Sequence, residues 1–218
     1  MKKIVAVGIV ALILGIPGIN IFHHVELPTL NKYRIVSAHN IDSTYPFLHK
    51  HTDITLEDEV KSNIWYEDVS KVLRDAKEGD TITFHLMGYG GREDSLYMLI
   101  NQIKNSKAII TMSVEAPVYS AHAYLAVAGD KLVMAPYTWL MFHFSSVLDV
   151  DCSKAKGLDR GVSKEEKCKQ FKQVDVDLGI KMISTIDLLT AEEKSSIITG
   201  HDVYLTSDVV SQRQGETK

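Results

Sequence analysis

The stretch from Asp80 to Ser145 constrains the fold most strongly, because strand and helix patterns alternate along it. An apolar run, Ile82 to Met87, predicts a buried strand that ends in a glycine-rich turn, Gly88 to Gly91. An amphipathic helix pattern comes next, and a second buried strand is predicted over Ala108 to Val114. A helix of small residues then opens near Ser120, before two more short strands. Strands that alternate with helices in this way are typical of βαβ units and a parallel sheet.

Length and composition limit the class of protein. With 218 residues, 45% of them hydrophobic, the chain is predicted to form one domain of ordinary size. Its formal net charge is −4, and its Lys and Arg residues are scattered rather than grouped in a stripe. This pattern argues against nucleic acid as a partner.

The N-terminus differs from the rest of the chain. Lys2 and Lys3 precede an apolar run from Ile4 to Phe22, interrupted by Pro17-Gly18 and by Asn20. A charged start before such a run is typical of a secretory signal. No small-residue cleavage motif follows, and the run approaches the ~20 residues that span a bilayer. We therefore favour an uncleaved signal anchor over a cleaved signal peptide or a buried first element.

This interpretation divides the chain into three parts. We expect residues 1–22 to be a signal peptide or signal anchor, residues 23–32 a linker, and residues 33–218 the folded domain. The positive-inside rule would keep the two N-terminal lysines in the cytoplasm and place the domain on the non-cytoplasmic side. A cytoplasmic domain is the alternative.

The two cysteines of the chain, Cys152 and Cys168, lie in one polar segment. Their spacing matches no zinc pattern. If the domain is exported, they could form a disulfide that closes this segment into a loop. Two free thiols in a reducing compartment are the alternative.

Weaker patterns flank the central stretch. Tyr33 to Ala38 predicts a first strand at the sheet edge, whereas the polar region from His39 to Glu57 is expected to be irregular. His49 and His51 are interpreted as part of a solvated loop rather than as metal ligands, because no carboxylate or cysteine stands at a recognisable spacing. A helix is expected within Thr55 to Lys77.

The C-terminal third carries two helix-start signals. Ser163 with Glu166, and Thr190 with Glu193, each have the spacing of a capping box. The first helix is predicted to run to about Leu188. A short extended piece follows the second helix, before a polar tail.

The glycines after the first central strand do not match a nucleotide-binding motif. Gly88-x-Gly90 would need a third glycine at position 93, where Glu93 stands, and no G-K-[ST] follows. Glycines at a strand-to-helix junction nevertheless let backbone N–H groups face a ligand without a side chain in the way. We therefore favour a backbone-lined anion site over a simple tight turn.

Ser120 and His143 are the candidate chemical pair. Pro117 cannot lie inside a helix, so the small-residue helix is expected to begin near Ser120, next to the free N–H of Ala121. An N-cap role is the alternative for this serine. His122 is a poor candidate base, because residues two apart on a helix point to different faces. His143 ends an apolar run and is the better candidate, with a hydrogen-bonded core histidine as the alternative.

Four segments stand in a characteristic order along the chain. They are a strand leading into Gly-Gly (Leu86 to Gly91), a serine opening a helix that ends in Ala-Gly (Ser120 to Gly129), Met-Phe-His (Met141 to His143) and Asp-Val-Tyr-Leu-Thr (Asp202 to Thr206). Together they resemble the proteolytic subunit of the Clp protease, within the crotonase-like superfamily, over roughly Ile35 to Val210. The order Ser, His, Asp differs from that of α/β-hydrolases, and no G-x-S-x-G elbow occurs.

This resemblance implies a fold and an activity. The fold would be α/β, with crotonase-like repeated ββα/βαβ units, a mostly parallel sheet and flanking helices. The activity would be that of a serine-type endopeptidase, with Ser120 as nucleophile, His143 as general base and Asp202 orienting the imidazole. No metal or organic cofactor would be needed.

The resemblance also implies binding roles and an assembly. The N–H groups of Gly90 and Ala121 would form the oxyanion hole. A peptide or protein substrate would lie extended beside Tyr89 and Gly91. The family forms rings, so a homo-oligomer is expected, with the helices and the segment from Phe144 to Ser163 at its interface.

Departures from the family pattern keep other functions open. Ser120-Ala121-His122 replaces Ser-Met-Gly, and Phe144-Ser145 replaces Gln-Pro. These changes favour a catalytically inactive assembly or peptide-binding protein as one alternative. A membrane-anchored enzyme similar to signal peptide peptidases is another, although Ile197 stands near the place of its catalytic lysine. An acyl-coenzyme A enzyme of the crotonase branch is a third, but it would not need the serine, histidine and aspartate.

Overall fold

The structure is a computed structural model that describes residues 20–24, 33–40, 49–61, 66–144 and 151–216. Its strands are β1 (Asn20–His24), β2 (Tyr33–Asn40), β3 (Lys50–Val60), β4 (Thr81–Gly91), β5 (Ile109–Tyr119), β6 (Lys131–Met134), β7 (Trp139–Phe142), β8 (Leu158–Asp159), β9 (Val162–Ser163) and β10 (Val203–Thr206). Its helices are α1 (Glu67–Asp75), α2 (Glu93–Asn105), α3 (Ala121–Ala126), α4 (Lys164–Ser184), α5 (Ala191–Ile198) and α6 (Ser207–Glu216).

One mixed sheet organises these elements. Its order is β1-β2-β3-β4-β5-β7-β10, and β6 also pairs with β5. Pairing is parallel from β3 through β4 to β5, and from β5 to both β6 and β7. Antiparallel pairing occurs on the β1–β2–β3 side and between β7 and β10. The predicted α/β fold, with a mostly parallel sheet and flanking helices, is confirmed at this level.

The core lies on one face of the sheet. Alternate residues of the central strands are buried there, which is the period-two pattern of a strand with one covered face. They pack with the apolar faces of the helices into one cluster, whose fully buried members include Phe84, Leu86, Leu99 and Met112. Each such side chain contributes about 1.5–3 kcal/mol by leaving water.

The largest correction to the expected fold concerns β3. The region from His39 to Glu57 was expected to be irregular, but Lys50–Val60 is an eleven-residue strand between β2 and β4. Thr52, Ile54 and Leu56 point into the core, and polar residues alternate with them on the open face. This period-two signal was present in the sequence but was obscured by the polar half of the strand.

His51 takes part in the open face of β3 rather than in a loop. Its Nδ1 lies 2.7 Å from Thr81 Oγ1, and its Nε2 lies 3.3 Å from Asp53 Oδ1. Within the described ranges, no group of three or more His, Cys, Asp or Glu residues is arranged to hold a metal ion.

The predicted helix starts are confirmed. Ser163 caps α4 by accepting a hydrogen bond of 3.0 Å from the Glu166 N–H. Thr190 and Glu193 form a complete capping box at α5. The first of these helices is shorter than expected, because α4 ends at Ser184 and the residues after it, including Leu189, turn into the core.

The structure describes only the last part of the N-terminal apolar segment. Most of the predicted anchor, residues 1–19, lies outside the described residues. Strand β1 spans the end of that segment and the start of the expected linker, and it pairs with β2. In the part of the chain that is described, no helix is long and apolar enough to cross a membrane.

The cysteine-containing segment before α4 is partly described. Cys152 and Cys168 form a disulfide that closes a separation of 16 residues, so the bridged state of the two thiols is the one observed. The bridge ties a short 3-10 helix, Cys152–Lys154, to the first turns of α4. Between them lies the small hairpin of β8 and β9.

Candidate active site

Ser120 and His143 are in direct contact. The serine Oγ lies 2.7 Å from the imidazole Nε2, within hydrogen-bonding distance. Both residues are half-buried, between the carboxyl ends of β5 and β7 and the start of α3. The predicted contact between these two side chains is therefore present.

The backbone holds Ser120 at a sharp turn between strand and helix. β5 ends at Tyr119, α3 begins at Ala121, and Ser120 between them has φ 53° and ψ −123°. A non-glycine residue at positive φ typically costs about 1–3 kcal/mol, so its surroundings must hold it there. The Ser120 N–H does so in part by donating to Met141 O at 2.8 Å.

The alternative role for Ser120, as a helix cap, is not the one observed. Its side chain accepts no hydrogen bond from the first turn of α3. The hydroxyl faces His143 instead. The turn therefore presents the serine to the imidazole rather than to its own helix.

The position of His143 follows from β7 and α3. His143 comes directly after the buried Phe142, whose ring lies edge-on to Tyr124 with a centroid distance of 5.2 Å. The Tyr124 hydroxyl donates to His143 O at 2.9 Å. Burial raises the pKa of that hydroxyl, so it stays protonated and remains a donor.

Asp202 follows from strand pairing as a neighbour of His143, but the two side chains are not hydrogen-bonded to each other. In the antiparallel pairing of β10 and β7, Val203 stands opposite Phe142, so the next position outward sets Asp202 opposite His143. Asp202 is exposed, and no described residue is hydrogen-bonded to the Nδ1 of His143. The structure thus brings two members of the expected triad together and leaves the third unengaged.

The glycines beside Ser120 continue β4 instead of forming the expected turn. Gly90 and Gly91 have φ values of 108° and 133°, which side chains rarely tolerate. A Cβ on Gly91 would meet the Val60 nitrogen at 2.4 Å. A Cβ on Gly90 would lie 2.7 Å from Ser120 Cβ. Glycine is required at both positions by space and by backbone conformation.

The Gly90 N–H does not face the serine, contrary to the expected oxyanion hole. It donates to His122 Nδ1 at 3.3 Å. His122 is 1% exposed, and burial lowers its pKa to about 4, so the imidazole is neutral near pH 7 and can accept. The other expected donor, Ala121, is the first residue of α3, where an N–H has no acceptor within its own helix.

A small cavity adjoins the pair. Its volume is about 20 Å³, and it lies between Ser120, His143 and the helices α2 and α4. Phe144 and Gly179 shape it, because a Cβ on Gly179 would lie 3.2 Å from the Phe144 ring. The sequence analysis did not identify this contact between Phe144 and Gly179. The available signal was the glycine inside a long helix, which costs about 1 kcal/mol and therefore indicates close packing.

An aromatic row lies across the neighbouring strands. Tyr89 of β4 is 74% exposed and stacks on Tyr119 of β5, with ring centroids 5.6 Å apart. Trp139 of β7 lies edge-on to Tyr119 at 6.2 Å. Tyr89 was a predicted substrate contact, whereas Tyr119 and Trp139 were not singled out. The available signal was one aromatic residue at the end of β5 and another at the start of β7.

No protein-family model matches this chain, and no curated protein matches it with significant sequence similarity. Ile197, near the place where a Ser-Lys dyad would have its lysine, is fully buried in α5. A hydroxyl hydrogen-bonded to an imidazole, beside a helix N-terminus, is the arrangement that activates a serine for attack on a carbonyl carbon.

Proposed function

We propose that this protein is a serine peptidase that hydrolyses peptide bonds with Ser120 as nucleophile. The observation that carries the proposal is the 2.7 Å contact between Ser120 Oγ and His143 Nε2. The strained turn at Ser120 supports it, because backbone strain of this kind is concentrated at functional sites. The resemblance to the Clp protease subunit points to the same pair.

The reaction would take two steps. Ser120 Oγ attacks the peptide carbonyl while His143 Nε2 takes the hydroxyl proton and returns it to the leaving amine. Water then hydrolyses the acyl-enzyme with the same histidine as base. Asp202 would stabilise the imidazolium after its side chain turns from solvent onto Nδ1, a short movement for two residues at facing positions.

The negative charge of the tetrahedral intermediate would be held by backbone donors. The Ala121 N–H stands at the N-terminus of α3, next to the nucleophile, where an N–H is free to bind an oxyanion. The Gly90 N–H would be the second donor once it is released from His122.

The ends of the strands favour an extended peptide as substrate. β4 pairs with β5 only as far as Gly88 opposite Val118, but it pairs with β3 as far as Gly91 opposite Val60. Residues 89–91 therefore have no strand partner on the side of Ser120 within the described residues. A substrate strand added there would pass the nucleophile, with the exposed Tyr89 beside it.

The proposal also includes a ring of identical chains and an exported or membrane-anchored domain. α4 exposes Phe171, Val174 and Leu178, spaced so that they share one face, and a second copy of the chain would cover them in a ring. The Cys152–Cys168 disulfide favours an oxidising compartment, which agrees with an exported or membrane-anchored domain.

A second candidate function is non-catalytic peptide binding or assembly. Two observations favour it: the His122 acceptor on the Gly90 N–H, and the absence of a hydrogen bond between Asp202 and His143. Either feature would slow an enzyme, and neither would prevent a peptide from adding to β4.

Labelling with a fluorophosphonate probe separates the two functions. Such probes react with serines that a neighbouring base activates, so the wild-type protein should be labelled and Ser120→Ala should not. Ser113→Ala, on the same strand but on its open face, is the matched control and should label normally. Absence of labelling in a folded wild-type protein would leave peptide binding as the better candidate.

A further inference from the structure

We propose that His122 is a positioning residue that holds the Gly90 N–H away from the oxyanion, so that the resting site offers the Ala121 N–H but not the second expected donor. Release of this hydrogen bond would complete the oxyanion hole. The inference rests on the proposed function, since it assumes that Ser120 forms a tetrahedral adduct. It goes beyond that function by assigning a controlling role to a residue outside the expected triad.

The backbone of Gly90 lies close to the nucleophile. A Cβ built on Gly90 would lie 2.7 Å from Ser120 Cβ and 3.2 Å from its Oγ. This backbone is therefore in place to serve the reacting carbonyl. Its one N–H proton, however, is given to His122 Nδ1 at 3.3 Å, and it is not free for a second acceptor.

The imidazole of His122 has a fixed location. His122 is buried in α3 at 1% exposure. A Cβ on Gly88 would meet its Cε1 at 2.6 Å and its Nε2 at 2.7 Å, so the ring lies directly against the glycine backbone. The ring has this space only because residue 88 has no side chain. The space at Gly88 therefore fixes the imidazole, and the imidazole in turn holds the Gly90 peptide by a hydrogen bond.

The hydrogen bond between the Gly90 N–H and His122 is suited to be broken. At 3.3 Å it is longer than the usual N–H distance of about 2.9–3.0 Å. Gly90, at φ 108°, can rotate its peptide more freely than any other residue type could. An oxyanion accepts a charge-assisted hydrogen bond, which is stronger than one to a neutral imidazole. Formation of the tetrahedral intermediate would therefore draw the N–H from His122 to the substrate.

The test uses two side chains of nearly the same shape. His122→Leu removes the acceptor, whereas His122→Asn offers its amide oxygen near the place of Nδ1. Because the wild-type site must first break this neutral hydrogen bond before the N–H reaches the oxyanion, we expect His122→Leu to raise kcat by about fivefold to tenfold with little change in KM. His122→Asn should stay within about threefold of the wild type. A merely structural role would make the leucine variant slower or leave it unchanged, and either result would overturn the inference.

A measurement that does not depend on catalysis completes the test. Amide hydrogen exchange at Gly90 should be slow in the wild type and in His122→Asn, and faster in His122→Leu. Equal exchange in all three proteins would remove the proposed hydrogen bond. Fluorophosphonate labelling of the wild type that the leucine change does not accelerate would overturn this inference alone. Failure of every folded variant to label at Ser120 would overturn the proposed function and this inference with it.

Discussion

Gly90 and Ser120 are packed so closely that the glycine has no room for a methyl group on the side of the serine. The added carbon would lie 2.7 Å from Ser120 Cβ, and the φ of Gly90 is 108°. The last residues of β4 therefore present bare backbone to the nucleophile. This contact links the sheet to the candidate chemistry, and the first prediction concerns it.

Gly90→Ala should damage both activity and stability. The methyl group must displace Ser120, and the backbone must leave its positive φ, at a cost of about 2 kcal/mol or more. Peptide hydrolysis should fall at least about 10²-fold, because the nucleophile and the second donor both shift. Gly215→Ala, in α6 where the added carbon contacts nothing, is the control and should retain full activity and stability. Activity and thermal unfolding of the two variants measure this.

The second prediction concerns Asp202. If its side chain engages His143 during the reaction, Asp202→Asn should lower kcat by about 10²–10⁴-fold with little effect on KM. His143→Ala should be at least as severe. Because Asp202 is exposed, the asparagine variant should unfold at the same temperature as the wild type. A fully active Asp202→Asn protein would show that His143 works without this carboxylate.

The third prediction is a loss of stability in acid caused by His122. Burial lowers its pKa from the ordinary value of 6.5 to about 4 in the folded protein. Above pH 6.5 the imidazole is neutral in both states, and below it the unfolded chain binds the proton first. The free energy of unfolding should therefore fall between pH 6.5 and pH 4, by on the order of 3 kcal/mol from this group.

Denaturant unfolding from pH 7 to pH 4 measures this loss. His122→Asn cannot bind the proton and should show a shallower decline over the same range. Parallel curves for the two proteins would contradict the lowered pKa.

The fourth prediction concerns the disulfide. Cys152 and Cys168 close a loop of about the size for which a bridge contributes about 3 kcal/mol, mainly by restricting the unfolded chain. Replacement of both cysteines by serine should lower the free energy of unfolding by roughly this amount. A reducing agent should have the same effect on the wild type and none on the variant. Thiol titration of the protein as purified from cells should find no free cysteine.

The fifth prediction concerns the exposed face of α4. If copies of the chain cover Phe171 and Val174, Phe171→Glu with Val174→Glu should give a monomer in sedimentation experiments, because charge would be buried at the contact. Gln173→Glu, on the same helix but off this face, should leave the assembly unchanged. A wild-type protein that is monomeric at every concentration would remove the ring from the proposed function.

The sequence predicted most of the central fold because its signals are local. These signals are the apolar runs, Pro117 before α3, and the capping residues Ser163 and Thr190. Each acts within a few residues, so it can be recognised without knowing which distant segments pack against it. β3 was missed because one of its faces is polar and open. Whether Asp53 and His51 stand in a loop or on a strand depends on the pairing of β3 with β2 and β4, which lie far away in the sequence.

The candidate site likewise has features that the sequence predicted and features that it did not. Local residue patterns made Ser120 and His143 candidates, and the resemblance to the Clp protease subunit favoured them as a pair. The two side chains are in contact because a serine at a helix start and a histidine at a strand end meet at one edge of a parallel sheet. The direction of the Gly90 N–H and the detachment of Asp202 were decided by tertiary structure alone. Both depend on where a peptide plane or a side chain points, and that is set by neighbours 32 residues away for Gly90 and by strand pairing for Asp202. Local sequence fixes which groups are available, whereas long-range packing fixes which of them meet.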